Sequence, residues 1–271
     1  MDGDFFQDKV VLITGASSGI GRALVLEALQ HGAFVVLAAR SLADMQDVVE
    51  GCDKDRFMIV KTDVAKESDC ARLLEKATTR FGRLDVLINN AGLSMRALFA
   101  DVELSVLERL MQVNFWGTVY CTKYALPHLL RSGGNVVGVS SIAGYKGLPA
   151  RSGYSASKFA LQGFLECLRI ENMKTGLHVM IACPGFTSSN IRKTALSKDG
   201  SMQGESPREE AKMMQPETVA RHILRAIAKR KRTLVLTRQG RLTVWLNKLF
   251  PAWTDKLVYN HMAKEPDSPF A

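Results

Sequence analysis

Seven short apolar runs rich in β-branched residues recur along the chain, separated by longer stretches with helical spacing. They are KVVLITG (9–15), AFVVLAAR (33–40), RFMIVKTDV (56–64), LDVLINNAG (84–92), GNVVGVSS (134–141), HVMIACPG (178–185) and RTLVLT (232–237). A strand that is apolar on both sides must be covered on both faces, which is the condition of a parallel sheet between two helical layers. Segments such as Ile20 to Gln30, Glu67 to Arg80 and Ala156 to Lys174 carry the spacing of that cover. The pattern predicts one α/β domain, a doubly wound parallel sheet of about seven strands with helices on both faces. A chain of 271 residues, 46% hydrophobic, fits one such domain better than two.

Several classes fall away early. No apolar run approaches the roughly 20 residues that a membrane-spanning helix needs. The first residues, MDGDFFQDK, have neither the basic start nor the apolar core of a signal peptide, so a cytoplasmic protein is expected. Five cysteines, odd in number and without C-x-x-C spacing, read as reduced thiols. Five histidines form no H-E-x-x-H pattern, and no metal site is expected. The net charge is +9, with ten Lys/Arg against one acid between Arg221 and Lys256. No nucleic-acid-binding module accompanies that charge, so no nucleic-acid partner is expected.

The first strand runs into TGASSGIG (14–21), where Gly15, Gly19 and Gly21 open a helix. Glycines let the backbone turn tightly and approach a pyrophosphate, and the helix N-terminus offers free N–H groups and a positive dipole end. After a strand and before a helix, this is a Rossmann-type dinucleotide turn, with Gly15, Ser17, Ser18, Gly19, Ile20 and Gly21 as the candidate cofactor contacts.

The glycine spacing is G-x-x-x-G-x-G, followed in order by NNAG (89–92) and YSASK (154–158). On these motifs the chain resembles the short-chain dehydrogenase/reductase family from Lys9 to Thr237. The resemblance implies a catalytic tetrad of Asn114, Ser141, Tyr154 and Lys158, with the tyrosine 13 positions after the serine. It also implies that Lys158 and Tyr154 lie at the nicotinamide ribose, that Asn114 supports a water chain, and that Asp63 and Val64 contact the adenine. Asn90, Ala91 and Gly92 match the segment beside the adenosine ribose. In CPGFTSSN (183–190), Pro184 and Gly185 are in place, and the carboxamide contact falls to Thr187 or Ser189.

Elementary chemistry agrees with the tetrad. A free tyrosine titrates at about 10 and is a poor acid-base catalyst at neutral pH. A lysine one helical turn beyond it, with the positive charge of an oxidised nicotinamide, would favour the phenolate. Tyr154 would then donate a proton to a carbonyl oxygen during reduction and take it back during oxidation, while Ser141 bonds the same oxygen. At the end of the second strand, LAARS places Arg40 where NAD-specific sites carry an acid. A guanidinium suits a 2′-phosphate, and Ser17 adds a hydroxyl, so NADP(H) is the expected cofactor.

Residues 1–238 are expected to form the NADP-binding catalytic domain, with the polar, Gly- and Pro-interrupted stretch 188–216 as a substrate lid. Residues 239–271 form an amphipathic basic extension in which Leu242, Trp245, Leu246, Leu249, Phe250, Trp253 and Leu257 share a helical stripe, broken in two by Pro251. That stripe either packs on the protein itself or, through 239–262, rests on anionic membrane. The expected substrate is a small carbonyl or alcohol, hydrophobic in the manner of a steroid, retinoid, lipid or aldehyde, since Phe186, Met202, Met213, Met214 and the tail tryptophans are offered to it. A homodimer or homotetramer is expected. The alternatives are a 3-oxoacyl thioester reductase of fatty-acid synthesis and a non-enzymatic NADP-binding sensor or scaffold.

Overall fold

Each of the seven apolar runs becomes a strand: β1 (Val10–Thr14), β2 (Phe34–Ala39), β3 (Phe57–Lys61), β4 (Val86–Asn89), β5 (Asn135–Val139), β6 (His178–Cys183) and β7 (Thr233–Val235). The structure, a computed structural model, describes residues 5–188, 190–205, 213–265 and 268–270. The strands form one parallel sheet in the order β3-β2-β1-β4-β5-β6-β7. The chain winds outward from β1 to β3, then returns to lay β4 on the other side of β1, where Val11 stands beside both Val35 and Val86. That reversal opens a crevice at the carboxyl ends of β1 and β4.

Alternate residues of each strand serve opposite faces. Val11 and Ile13 of β1, with Val35 and Leu37 of β2, pack under α1 (Gly19–Gln30) and α7 (Pro216–Ala228) through Leu24, Ala28, Ile223 and Ile227. Val10 and Leu12 turn the other way, into a second core with α3 (Glu67–Phe81), α5 (Gly117–Ser132) and α6 (Ser152–Glu171). Leu73, Cys121, Leu129, Leu161 and Leu165 fill that side. Burying each such leucine stabilises the fold by about 1.5–3 kcal/mol.

Below the sheet, Asp85 is buried, but its carboxylate accepts from Val10 N at 2.9 Å and from Arg83 Nη2 at 2.6 Å. A charge taken out of water is tolerable there because it is fully bonded. It ties the amino ends of β1 and β4 in register.

Four further helices follow. α2 (Leu42–Val48) follows β2, its first turn capped by Ser41 Oγ accepting from Asp44 N at 3.3 Å. α4 (Leu104–Met111) runs into a widened π turn, Gln112–Trp116, before α5 begins. The C-terminal stripe forms two helices, α8 (Arg238–Leu249) and α9 (Pro251–Ala263), separated at Pro251 as its missing N–H demands.

The expected lid is more firmly attached than its composition implies. Leu196 N donates to Ser94 O and Arg96 N donates to Leu196 O, both at 2.9 Å, and Leu196 is buried with Met95, Val106 and Leu110. Residues 206–212 and Ser189 of that stretch lie outside the described residues.

Candidate active site

The turn between β1 and α1 is shaped by contacts that only glycine permits. Gly15 has φ +66°, in the left-handed region, and a Cβ on it would lie 2.8 Å from Ala91 Cα. A Cβ on Gly21 would lie 2.0 Å from Gly15 O, so the first turn of α1 nests directly on the loop. From the other side, Asn90 Nδ2 donates to Thr14 O at 3.0 Å and to Gly15 O at 3.2 Å, while Asn90 N and Ala91 N both donate to Thr14 Oγ1 at 3.0 Å. The NNAG segment is therefore a buttress for the glycine turn, and Thr14 is the residue the motif reading left out. Ser18 is the N-cap of α1, but its side chain makes no cap bond and the first turn holds no acid. Its N–H groups and dipole end face the crevice uncountered, a cradle that fits an anion such as a dinucleotide pyrophosphate.

Arg40 is exposed at the end of β2, and Ser17 is half-buried in the glycine turn. After β3, Asp63 Oδ1 accepts from Ala65 N at 3.1 Å, and Val64 is buried against Gly117. These residues line the carboxyl ends of β1 to β3.

Ser141, Tyr154 and Lys158 converge on one cavity of about 680 Å³, whose wall also includes Ile20, Asn90, Gly92, Pro184, Gly185 and Thr187. Ser141 leaves β5 in an extended conformation and caps the short 3-10 turn Ile142–Gly144, accepting from Ala143 N at 3.2 Å. Its hydroxyl favours the ionised form of Tyr154. Lys158, one turn further along α6, donates to Val139 O at 2.9 Å and lies 5.8 Å from the centroid of the Tyr154 ring.

Asn114 is fully buried behind this wall, in the π turn. Its amide accepts from Leu93 N at 2.7 Å and donates to Leu93 O and to Ser157 Oγ, both at 2.9 Å. Ser157 Oγ donates in turn to Tyr154 O at 2.7 Å. The widened turn thus brings the amide to the Tyr154 helix. Ser157 is a link that motif reading passed over, being an unremarked letter inside YSASK.

The electrostatics differ from the sequence expectation. Burial raises the Tyr154 pKa above the ordinary phenol value; the Ser141 hydroxyl and the charges of Arg151 and Arg192 pull the other way, and Cys183 adds to the rise. Burial also pulls Lys158 down to about 8 and pushes the Cys183 thiol up to about 12. The influences that favour the phenolate come from Ser141, Arg151 and Arg192 rather than from the expected lysine, whose ammonium is turned toward the Val139 carbonyl.

Beyond β6, Thr187 is buried in the cavity wall, and its hydroxyl donates to Gly185 O at 3.1 Å. Ser189, the other candidate for the carboxamide, lies outside the described residues. Thr237 holds φ +66°, strained for a β-branched residue, and its Oγ1 accepts from Gly240 N at 3.0 Å to start α8. This turn swings the tail over the cavity, where Leu242, Leu246, Leu257, Val258 and Met262 form an apolar roof.

Phe186 lines the cavity as expected. Met202 is instead 62% exposed, Met214 packs on the sheet core, and neither Met213 nor the tail tryptophans reach the cavity wall. The apolar lining comes from the inner faces of α8 and α9, because the one stripe read from spacing divides between two surfaces.

Relatives bear on the same arrangement. Residues 9–200 match the family model described as short chain dehydrogenase. Dehydrogenase/reductase SDR family member 7B of Danio rerio is 35% identical over 269 residues, 96% of this chain and 87% of that protein. The 11-beta-hydroxysteroid dehydrogenase A of Sesamum indicum is 34% identical over 271 residues, 96% of this chain and 78% of that protein. A short chain dehydrogenase/reductase from Burkholderia phymatum, solved with NAD, superposes with a TM-score of 0.80 at 23% identity, over 90% of this chain and 94% of its own, and so shares the fold. With a matched model spanning most of the sheet and relatives matched along almost the whole chain, this protein belongs to the short chain dehydrogenase family, the oxidoreductases that act on hydroxyl and carbonyl groups.

Proposed function

We propose that the chain is an NADP(H)-dependent carbonyl reductase or alcohol dehydrogenase acting on a hydrophobic substrate, with Tyr154 as acid and base. The observation that carries this reading is the convergence of Ser141, Tyr154 and Lys158 on one cavity roofed by apolar side chains of α8 and α9. Bound cofactor supplies the hydride for a carbonyl carbon, or accepts it from an alcohol carbon.

The chain's own groups do the rest. Tyr154 gives its hydroxyl proton to the carbonyl oxygen as that oxygen gains charge, and takes a proton back in the oxidative direction. Ser141 bonds the same oxygen and favours the phenolate. Asn114, through Ser157, holds the backbone at Tyr154, and Lys158 keeps a cation at the site. The turn of Gly15, Ser17, Ser18, Gly19, Ile20 and Gly21, with Asn90, Ala91 and Gly92, would hold the dinucleotide. Asp63 and Val64 would meet the adenine, and Pro184, Gly185, Thr187 and Ser189 the nicotinamide. Arg40, exposed at the end of β2 with no carboxylate in its place, favours the 2′-phosphate of NADP. The Burkholderia neighbour was solved with NAD, so this preference rests on Arg40 rather than on the fold.

The apolar roof and the resemblance to a plant steroid dehydrogenase favour a steroid-, retinoid- or lipid-like substrate over a 3-oxoacyl thioester. A sensor without catalysis would have no use for all three convergent groups. Residues 1–238 are the catalytic unit in this reading, and 239–271 an extension that completes its cavity. Trp245, Leu249, Phe250 and Trp253 of that extension are each more than half exposed, beside exposed Arg241, Lys248 and Lys256. This surface suits an anionic membrane, and no helix among the described residues is long and apolar enough to cross one. A cytoplasmic enzyme resting on lipid is the localisation it supports. Exposed Trp116 and Phe159 offer an apolar face to a second copy, in keeping with a dimer or tetramer.

The test is a spectrophotometric screen of NADPH and NADH oxidation against steroids, aldehydes, quinones and 3-oxoacyl thioesters, with Tyr154→Phe as control. Full turnover by that variant would remove the assignment.

A further inference from the structure

Three polar ties hold the C-terminal helices to one short stretch of chain. Asn247 Nδ2 of α8 donates to Tyr145 O at 3.0 Å, and Asp255 of α9 pairs with Lys146. Just past α9, Glu265 Oε2 lies 3.2 Å from Arg151 Nη2 and 4.0 Å from Arg96 Nε. All but Arg96 land on residues 145–151, the segment between Ser141 and Tyr154. Glu265 is only 8% exposed, so its carboxylate has left water for two guanidiniums whose own side chains are 11% exposed.

A buried acid contributes nothing by hydrophobicity and costs a great deal when unpaired, so its position is dictated by its partners. Its partners stand 114 residues away or more, Arg151 directly ahead of α6 and Arg96 in the loop after β4. Between the ties, Leu257, Val258 and Met262 of α9 face the cavity. Among the described residues, none after Leu236 belongs to either sheet core. The tail can therefore loosen without unfolding the sheet, and these polar ties, with buried Thr254 and Met262, fix its place over the cavity.

We infer that Glu265 is a positioning residue, which by pairing with Arg151 and Arg96 fastens α9 as the roof of the substrate cavity and makes the tail the element that selects large apolar substrates. The inference rests on the oxidoreductase reading for its substrate, but its geometry has a readout without turnover.

The experiment compares the full chain with Glu265→Gln and, separately, Asp255→Asn, which breaks the tie at Lys146. Hydrogen exchange of the α9 amides is expected to accelerate at least tenfold in Glu265→Gln, with α6 and the sheet unchanged. With turnover measured, the ratio of kcat/KM for a ring- or long-chain carbonyl over a three-carbon aldehyde is expected to fall about tenfold, through KM for the large substrate. Asp255→Asn should move both readouts in the same direction, and Glu265→Asp should restore part of each. Unchanged α9 exchange, or equal losses for large and small substrates, would overturn the inference. Should the parent chain turn over no carbonyl at all, the function reading falls, while exchange still decides whether Glu265 holds the roof.

Discussion

Lys158 directs its ammonium to the Val139 carbonyl at 2.9 Å, although it stands one helical turn from Tyr154 with the ring centroid 5.8 Å away. The lysine is held by β5, and the tyrosine by its backbone carbonyl, which accepts from Ser157 Oγ. The two halves of the motif are thus fixed independently, one by a strand end and the other through the π turn at Asn114.

Because burial draws Lys158 down to about 8 from its ordinary value of 10.5, the folded protein binds fewer protons there than the unfolded chain. Its cost to stability is fully present below about pH 8 and disappears as pH rises toward the unfolded pKa. Lys158→Met should therefore be inactive yet more stable than the parent at pH 7, by on the order of 2 kcal/mol after the lost bond to Val139 is counted. Denaturant melts across pH 7 to 10.5 check this: the gap should close as pH rises.

The acid-base assignment predicts that Tyr154→Phe lowers kcat at least about 100-fold while leaving NADPH affinity, read by fluorescence, nearly unchanged. Ser141→Ala should cost about 100- to 1000-fold. Its residual activity carries a second signature. The groups that face Tyr154 are Ser141, Arg151, Arg192, Cys183 and Lys158, and losing the Ser141 hydroxyl removes the largest influence that favours the phenolate. The pH limb for alcohol oxidation should move to higher pH, and a limb that stays or falls would contradict the arrangement.

Arg40→Asp should invert cofactor preference. A charge-assisted bond to a phosphate contributes about 1.5–3 kcal/mol, so KM for NADPH should rise about 10- to 100-fold, with NADH gaining relative to it. Initial rates with both cofactors at a fixed carbonyl concentration measure the ratio.

Gly21→Ala brings a methyl group to 2.0 Å from a backbone oxygen, which no rotamer can relieve. The loop must shift, at a cost of about 1–3 kcal/mol, and dinucleotide binding should fall with it. Thermal melts with and without NADPH separate the two effects.

Co-sedimentation with vesicles containing phosphatidylserine tests the outer face of the tail. The parent chain should bind at low salt and release at high salt, and replacing Trp245 and Trp253 together by serine should abolish binding without altering the melting temperature, since both are more than half exposed.

The strands were readable because each needs only its own letters: a run such as VVLIT is apolar on both sides wherever it sits, and β1 is buried along its whole length. The glycine turn and the Tyr154 helix were readable for the same local reason. What spacing could not show is which surface an apolar side chain meets. Leu246 and Trp245 are neighbours in one stripe, yet the first roofs the cavity and the second faces outward. Glu265 and Arg151 were opaque too, since a pairing across 114 residues leaves no periodic trace. The π turn at Asn114 likewise follows from packing between α4 and α6 rather than from any letter in QVNFW.

The turn at Thr237 has a consequence for the order in which the molecule is made. All seven strands have left the ribosome by Val235, and with them the glycine loop, Ser141, Tyr154 and Lys158. The roof comes only afterwards. A nascent chain thus owns a finished strand-end platform while the cavity beside it still stands open to water, and the apolar roof arrives only when α8 and α9 fold back over it.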